Sequence, residues 1–289
     1  MKYIVAPLIA ITLAVSACEG AQHGAAKFAT GVQHGSLDVA GAARTYRLLV
    51  PAAVTAGKSL PLLLALHGCG VSENGDNFAA VSHFDGKATV NGFIVAYPDG
   101  DQGCWNSGSC CGPADDVSFI RDLIDRMVKQ YPIDNARVFV AGYSGGGAMA
   151  HRLACELANV ITAVASVSGA FVVTTCQPAR PISVLEVHGT ADQTTPLTGG
   201  VLGVDSPPVP TFMSDWAQRD GCSGNPVQSS SGIAKTSQWT GCRGNTTVRL
   251  DLVSGGHHTW FGSNIDPVTG EPTSTDIVWN FFSGLATAN

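Results

Sequence analysis

The sequence predicts an α/β fold with a mostly parallel central sheet and helices on both faces. Three observations lead there. The run Leu60 to His67 is nearly all apolar, as a strand buried on both faces must be, and Gly92 to Tyr97, Ile161 to Val167 and Ile182 to Val187 are further runs of strand length. Between them lie segments of helical period, with Val117, Ile120, Leu123, Ile124 and Met127 on one face. The strands end in glycine-bearing loops, one of which, Gly142-Tyr143-Ser144-Gly145-Gly146, joins a strand directly to a helix.

Composition bounds the rest. With 289 residues, 45% of them apolar, the chain suits one large α/β domain, and no internal repeat or interdomain linker interrupts it. Lys and Arg number 16 against 22 Asp and Glu, and no basic cluster stands out, so nucleic acid is not an expected partner. At the N-terminus Lys2 precedes an apolar run, Tyr3 to Val15, and then Ser16-Ala17-Cys18. A positive start, a short apolar core and small residues describe a secretory signal over residues 1–17. Leu13 to Cys18 resembles a bacterial lipobox, which makes Cys18 the expected lipidation site and a lipid anchor the only expected contact with membrane. An ordinary signal cleaved near Ala17 or Ala21 is the alternative. Residues 18–39, rich in Ala, Gly and Gln, read as a flexible tether, and 40–289 as a single domain.

Cysteine usage points to the same compartment. Setting Cys18 aside leaves eight cysteines, an even number suited to disulfides outside the cell. Cys222 and Cys242 bracket one polar segment and read as a local pair; the other pairings stay open. Cys104, Cys110 and Cys111 lack the C-x2-C spacing of a zinc site, so disulfides are the better reading and no metal is expected.

Taken in order, Thr45 to Val50 alternates as an edge or second strand. The buried strand Leu60 to His67 leads into His67-Gly68-Cys69-Gly70, and Gly92 to Tyr97 ends at the turn Pro98-Asp99-Gly100. Cys104 to Gly112 is a cysteine-clamped loop whose Trp105 either lines a pocket or covers the core. Asp115 and Asp116 open a helix as cap and dipole partners. Val138 to Ala141 is the strand before Ser144, and helix formers follow from Ala148 to Asn159. After Ile182 to Val187 comes His188-Gly189-Thr190-Ala191-Asp192. Thr211 to Arg219 reads as a helix, and Gly221 to Gly241 as an excursion held by a disulfide. Thr247 to Val253 is the last strand, running into Gly255-Gly256-His257-His258-Thr259-Trp260, and Asp276 to Phe282 closes the chain as a helix.

Strand, G-x-S-x-G, helix is the context of the nucleophile elbow of an α/β-hydrolase. A serine on such a turn sits in strained backbone, and the flanking glycines let strand and helix approach closely. A phosphate loop is a poor reading because no Lys-Ser/Thr follows the glycines. The strand ending in His-Gly-x-Gly is where that fold places an oxyanion donor, so the backbone N–H groups of Cys69 and Gly145 are the expected oxyanion hole. Asp192 falls on a loop at the same carboxyl edge of the sheet and is the expected triad acid, while His188 orders that loop. The general base belongs on the loop after the last strand, and the order Ser144, Asp192, His258 is that of the α/β-hydrolases. Adjacent His257 leaves the choice between the two histidines to geometry. Tyr143, Trp105 and Trp260 are candidate pocket residues.

With all these motifs in order, the chain resembles the esterase group of polyhydroxybutyrate depolymerases and feruloyl esterases, near carbohydrate esterase family 1, over about residues 40 to 285. The resemblance implies an α/β-hydrolase fold, export, no cofactor, and hydrolysis of a carboxylic ester of hydroxycinnamoyl, acetyl or hydroxybutyrate type. Its Gly-x-His-Thr-Trp motif falls on His258. The residue after the nucleophile, often Asn in relatives, is Gly145 here. A peptidase or thioesterase on the same fold, or a surface binding protein without catalysis, are the alternatives, since fold does not fix substrate.

Overall fold

The computed structural model describes residues 1, 28–55, 57–201, 203–232, 234–263 and 272–285. The expected signal segment beyond Met1, and Cys18, lie outside them. In chain order the elements are β1 (Gly31–Val39), β2 (Ala42–Val50), β3 (Leu60–Leu66), α1 (Gly75–Ser82), α2 (Phe84–Asn91), β4 (Ile94–Pro98), α3 (Asp116–Gln130), β5 (Ile133–Tyr143), α4 (Gly145–Glu156), β6 (Ala163–Val167), β7 (Ser183–Gly189), α5 (Val209–Arg219), β8 (Val227–Ser231), β9 (Ala234–Trp239), β10 (Val248–Val253) and α6 (Ser274–Leu285).

The strands form one sheet in the order β1-β2-β4-β3-β5-β6-β7-β10-β9-β8. The six central strands, β4 to β10 in that order, pair in parallel. Antiparallel pairs flank them on both sides, β1 and β2 at one edge and β9 and β8 at the other. Side chains alternate across the sheet, so each central strand feeds two cores. Leu62, Leu64 and Leu66 of β3 pack on one side with Phe119 and Leu123 of α3, Met149 and Leu153 of α4, and Phe212 and Trp216 of α5. Leu63 and Ala65 pack on the other with Phe78 of α1, Phe84 of α2, and Ile277 and Phe282 of α6. Each fully buried leucine of this kind contributes about 2 kcal/mol of apolar transfer free energy.

This layering positions the site. The crossover after β3 runs through α1 and α2 on one face, whereas α4 leaves β5 on the opposite face, so the chain reverses its direction of winding between β3 and β5. A crevice opens at the carboxyl ends of two strands that diverge in this way. The turn after β3 and the turn after β5 are the motifs that carry His67-Gly68-Cys69-Gly70 and Ser144.

The tether expected over residues 18–39 is corrected at its end. Residues 31–39 form β1, paired over nine residues with β2. The reason it reads as tether is that β1 is an edge strand with almost no buried apolar residue, only Val39. The polar excursion between Cys222 and Cys242 likewise contains the hairpin β8–β9, whose outer strand is exposed throughout. Asp115 caps α3 by accepting from the Ser118 N–H at 3.1 Å. Asp116 does more than cap: fully buried, it accepts from Arg44 at 2.6 Å and from the Asn106 N–H at 2.7 Å, tying the cysteine loop to β2.

Candidate active site

Ser144 occupies the turn between β5 and α4 with φ 53° and ψ −116°, a region that costs an L-residue about 1–3 kcal/mol. Its surroundings hold it there. The Ser144 N–H donates to Val167 O at 2.9 Å. A Cβ on Gly142 would overlap the backbone of Gly146, and one on Gly146 would overlap the carbonyls of Leu66 and His67. Both glycines are therefore required by the close approach of α4 to β5 and β3.

The side chains expected from the sequence meet at this turn. Ser144 Oγ lies 2.8 Å from His258 Nε2, and His258 Nδ1 lies 2.8 Å from Asp192 Oδ2. A carboxylate accepts only, so Nδ1 carries the proton it donates, which leaves Nε2 to accept from the serine hydroxyl. His258 makes these contacts; His257 is exposed. The Tyr143 hydroxyl donates to His258 O at 3.1 Å and fixes the backbone of the histidine loop. Burial and the Asp192 charge push that phenol well above its ordinary value, so it stays a donor.

Asp192 is buried in a nest of donors. Its Oδ1 accepts from the N–H groups of Thr194 and Thr195 at 2.9 and 2.8 Å, and the Thr195 hydroxyl lies 2.9 Å from Oδ2. Burial pushes its carboxyl up, but the hydrogen bonds from His258 and Thr195 outweigh it and hold the group below the usual carboxylate range. Thr195 is a site residue that the sequence reading missed. Its position three residues after the acid, at the start of a turn, is the only local sign of it.

Two backbone donors border the serine. The Gly145 N–H is first in α4 and has no acceptor within the helix. Across from it, Cys69 N lies 3.5 Å from where a Gly145 Cβ would stand. The Cys69 turn is pinned by His67, whose Nδ1–H donates to Gly68 O at 2.6 Å while Nε2 accepts from the Gly100 N–H at 2.9 Å. Burial lowers the pKa of this ring, consistent with the neutral tautomer those bonds require. The Cys69–Cys104 disulfide adds a covalent tie to the same turn.

Ser144 and Gly145 open onto a cavity of about 390 Å³ walled by Ala148, Ala170, Val172, Val201 and Val204 and by the disulfide between adjacent Cys110 and Cys111. The segment 199–210 thus reaches the pocket through Val201 and Val204. None of the three aromatic candidates lines it: Tyr143 is held by its hydroxyl on His258 O. Trp105 is fully buried and donates from Nε1 to His67 O at 2.9 Å, bracing the His67–Cys69 turn from behind. Trp260 is buried between Phe78 and Phe84 and donates to Thr275 Oγ1. Both are bulky enough that the core, not the pocket, takes them. A second hollow of about 480 Å³, beside Lys58, Leu60, Arg137 and Trp279, includes none of Ser144, His258 and Asp192 in its lining.

Comparison with known proteins bears on the family of the chain. The family described as esterase PHB depolymerase matches residues 44–216. The chain is 34% identical over 225 residues to feruloyl esterase B of Piromyces equi, covering 72% of this chain but 41% of that protein. It is 28% identical to a probable feruloyl esterase C of Aspergillus terreus, covering 83% of this chain and 84% of that one. Among solved structures, an acetyl xylan esterase from Aspergillus awamori superposes with a TM-score of 0.65 at 17% identity, over 87% of this chain and 99% of the other. That last likeness carries the fold alone.

Proposed function

The chain belongs to the esterase PHB depolymerase family, and on that premise we propose that it is an exported serine hydrolase of carboxylic esters, selective for hydroxycinnamoyl esters over acetyl esters. The observation that carries the reading is the chain of 2.8 Å hydrogen bonds from Ser144 through His258 to Asp192 at the mouth of an apolar cavity. About 390 Å³ lies within the range of pockets that bind whole small molecules and far exceeds the space an acetyl group fills. The feruloyl esterases among its relatives support the choice of acyl group.

The reaction proceeds in two steps. Ser144 Oγ attacks the ester carbonyl as His258 Nε2 takes its proton, and Asp192 offsets the charge the imidazole gains. The carbonyl oxygen, now negative, accepts from the N–H groups of Cys69 and Gly145, each worth about 3–4 kcal/mol to the transition state. The imidazolium returns the proton to the departing alkoxide, leaving an acyl-serine. Water then attacks the acyl carbon, gives its proton to His258, and the acid leaves as Ser144 is reprotonated.

Export and lipidation at Cys18 belong to the same proposal. Four disulfides among the described residues support an oxidising compartment. The test is turnover by purified protein on methyl ferulate, acetylated xylan and a 3-hydroxybutyrate oligomer. The proposal expects methyl ferulate to have the highest kcat/KM. Faster cleavage of the acetyl or hydroxybutyrate ester would reassign the acyl group, and no cleavage with no labelling by a fluorophosphonate would turn the reading towards a binding protein.

A further inference from the structure

Behind the acid of the proposed triad lies a second line of ionisable groups that the reaction as written does not use. Glu186 of β7 is fully buried, as are His151 of α4 and His188 of β7. Glu186 Oε1 lies 2.8 Å from His188 Nδ1, and Oε2 lies 3.2 Å from His151 Nε2. On its other side His188 Nε2 lies 2.7 Å from Thr195 O and 3.7 Å from Asp192 Oδ2. Thr195 in turn reaches both Asp192 and His258.

The partners fix the protons. Nδ1 of His188 faces a carboxylate and Nε2 a carbonyl, both acceptors only; the Thr195 hydroxyl, 3.5 Å from Nε2, lies closer to Asp192 Oδ2 at 2.9 Å and Ser168 O at 3.0 Å, which take its proton. Each nitrogen must then carry a proton, and the ring is an imidazolium. His151 differs. Its Nε2–H donates to Glu186, while its Nδ1 has no partner and faces a shell of Phe171, Phe212 and Trp216, which a neutral ring satisfies and a charged one does not. One buried carboxylate thus faces one buried cation. Burial works against both charges, but the mutual hydrogen bonds hold Glu186 below and His188 above their ordinary values.

We propose that His188, kept protonated by Glu186, is a positioning residue of this enzyme: its imidazolium faces Asp192 from behind, keeps that carboxylate ionised, and holds the Asp192–Thr195 turn against His258. The proposal rests on the reading of Ser144, His258 and Asp192 as the triad. The cation, 3.7 Å from Asp192 Oδ2, also offsets part of the field that this carboxylate exerts on His258. Among the described residues the ionisable groups facing His188 are Glu186 on its own strand, His151 across Glu186 from α4, Asp192 on the following loop, and His258 beyond Asp192.

Two measurements test it. In 15N-histidine-labelled enzyme at about pH 8, well above the ordinary histidine value, one ring should show two protonated nitrogens, and the signal should persist in His151→Asn and His258→Asn. All rings neutral under those conditions overturns the proposal. In Glu186→Gln, His188 loses its counter-charge and its proton. The acid limb of kcat/KM for methyl ferulate should then move upward by about 0.5–1 pH unit, with kcat reduced and KM little changed. A fall in activity with the limb unmoved means a purely structural role and also overturns it. The spectrum of the unaltered enzyme needs neither variant to fold. A neutral His188 in an enzyme that Ser144→Ala inactivates overturns this proposal alone, whereas turnover surviving Ser144→Ala overturns the triad reading beneath it.

Discussion

Cys69 Sγ fills the space beside Gly145 that a side chain would need: a Cβ on that glycine would overlap the sulfur. The disulfide to Cys104 and the glycine after the nucleophile are thus two halves of one arrangement. Relatives of the resembling group often carry Asn at this position, and Gly145 is what this oxyanion turn, with its sulfur packed inward, accommodates. Gly145→Ala should push Cys69 and its N–H away from the developing oxyanion. The expected loss is about a hundredfold in kcat with melting temperature nearly unchanged, read from steady-state kinetics and thermal unfolding side by side. Unaltered kcat would show that the turn adapts.

Asp192 fixes the tautomer of His258, so Asp192→Asn should lower kcat by about 10⁴. It also ties activity to acid stability. Because its folded carboxyl lies below the usual carboxylate range, the native state is favoured by its ionisation above the unfolded value, and the gain is lost as pH falls through the folded value. The melting temperature of the unaltered enzyme should therefore exceed that of Asp192→Asn at neutral pH, the gap closing on acidification below about pH 4. A gap independent of pH would count against an ionised, hydrogen-bonded Asp192.

Asp220 behaves in the opposite sense. Buried, it accepts from Thr246 Oγ1 at 2.8 Å and from the Ile182 N–H at 3.3 Å, yet burial outweighs these and raises its carboxyl to about 6. The native state binds its proton more tightly than the unfolded chain, so this group's contribution to stability falls as pH rises from about 4 to 6 and stays low above. Asp220→Asn should gain about 1–3 kcal/mol relative to the unaltered enzyme at pH above about 7 and little near pH 4, as measured by denaturant unfolding. Equal effects at both pH values would contradict the shift.

The Cys110–Cys111 disulfide forms one wall of the cavity beside Ser144. Serines at both positions would replace a fixed apolar wall with two free polar side chains. The expected result is a drop of about tenfold in kcat/KM for methyl ferulate relative to an acetyl ester, while the acetyl ester is cleaved nearly as before. An equal fall on both substrates would mean that the disulfide supports the fold and not the acyl pocket.

The central strands were legible because burial on both faces leaves little room for polar residues, as in Leu62 to Leu66. The loops bearing Ser144, Asp192 and His258 follow such strands directly, which is why their positions could be read along the chain. Edge strands gave no such signal. β1 and β8 face solvent along most of their length, so their sequences resemble tether and loop. Helices α1 and α2, eight residues each, are too short and too weakly patterned to stand out. Trp105 and Trp260 show a different limit: an aromatic near a motif carries no mark of which side it faces. The pairing of Glu186 with His188 was hidden for the opposite reason, since a carboxylate and an imidazole on a buried strand make sense only once both acceptors around the ring are located.

The central claim is that Ser144 forms the acyl-enzyme, and the most direct measurement is turnover of methyl ferulate by Ser144→Ala beside the unaltered enzyme, with intact mass taken after a fluorophosphonate. We expect a loss of about 10⁶ in kcat with folding retained, and one phosphonyl adduct on the unaltered enzyme that the variant lacks. Comparable turnover by Ser144→Ala, or an adduct on both proteins, would contradict it.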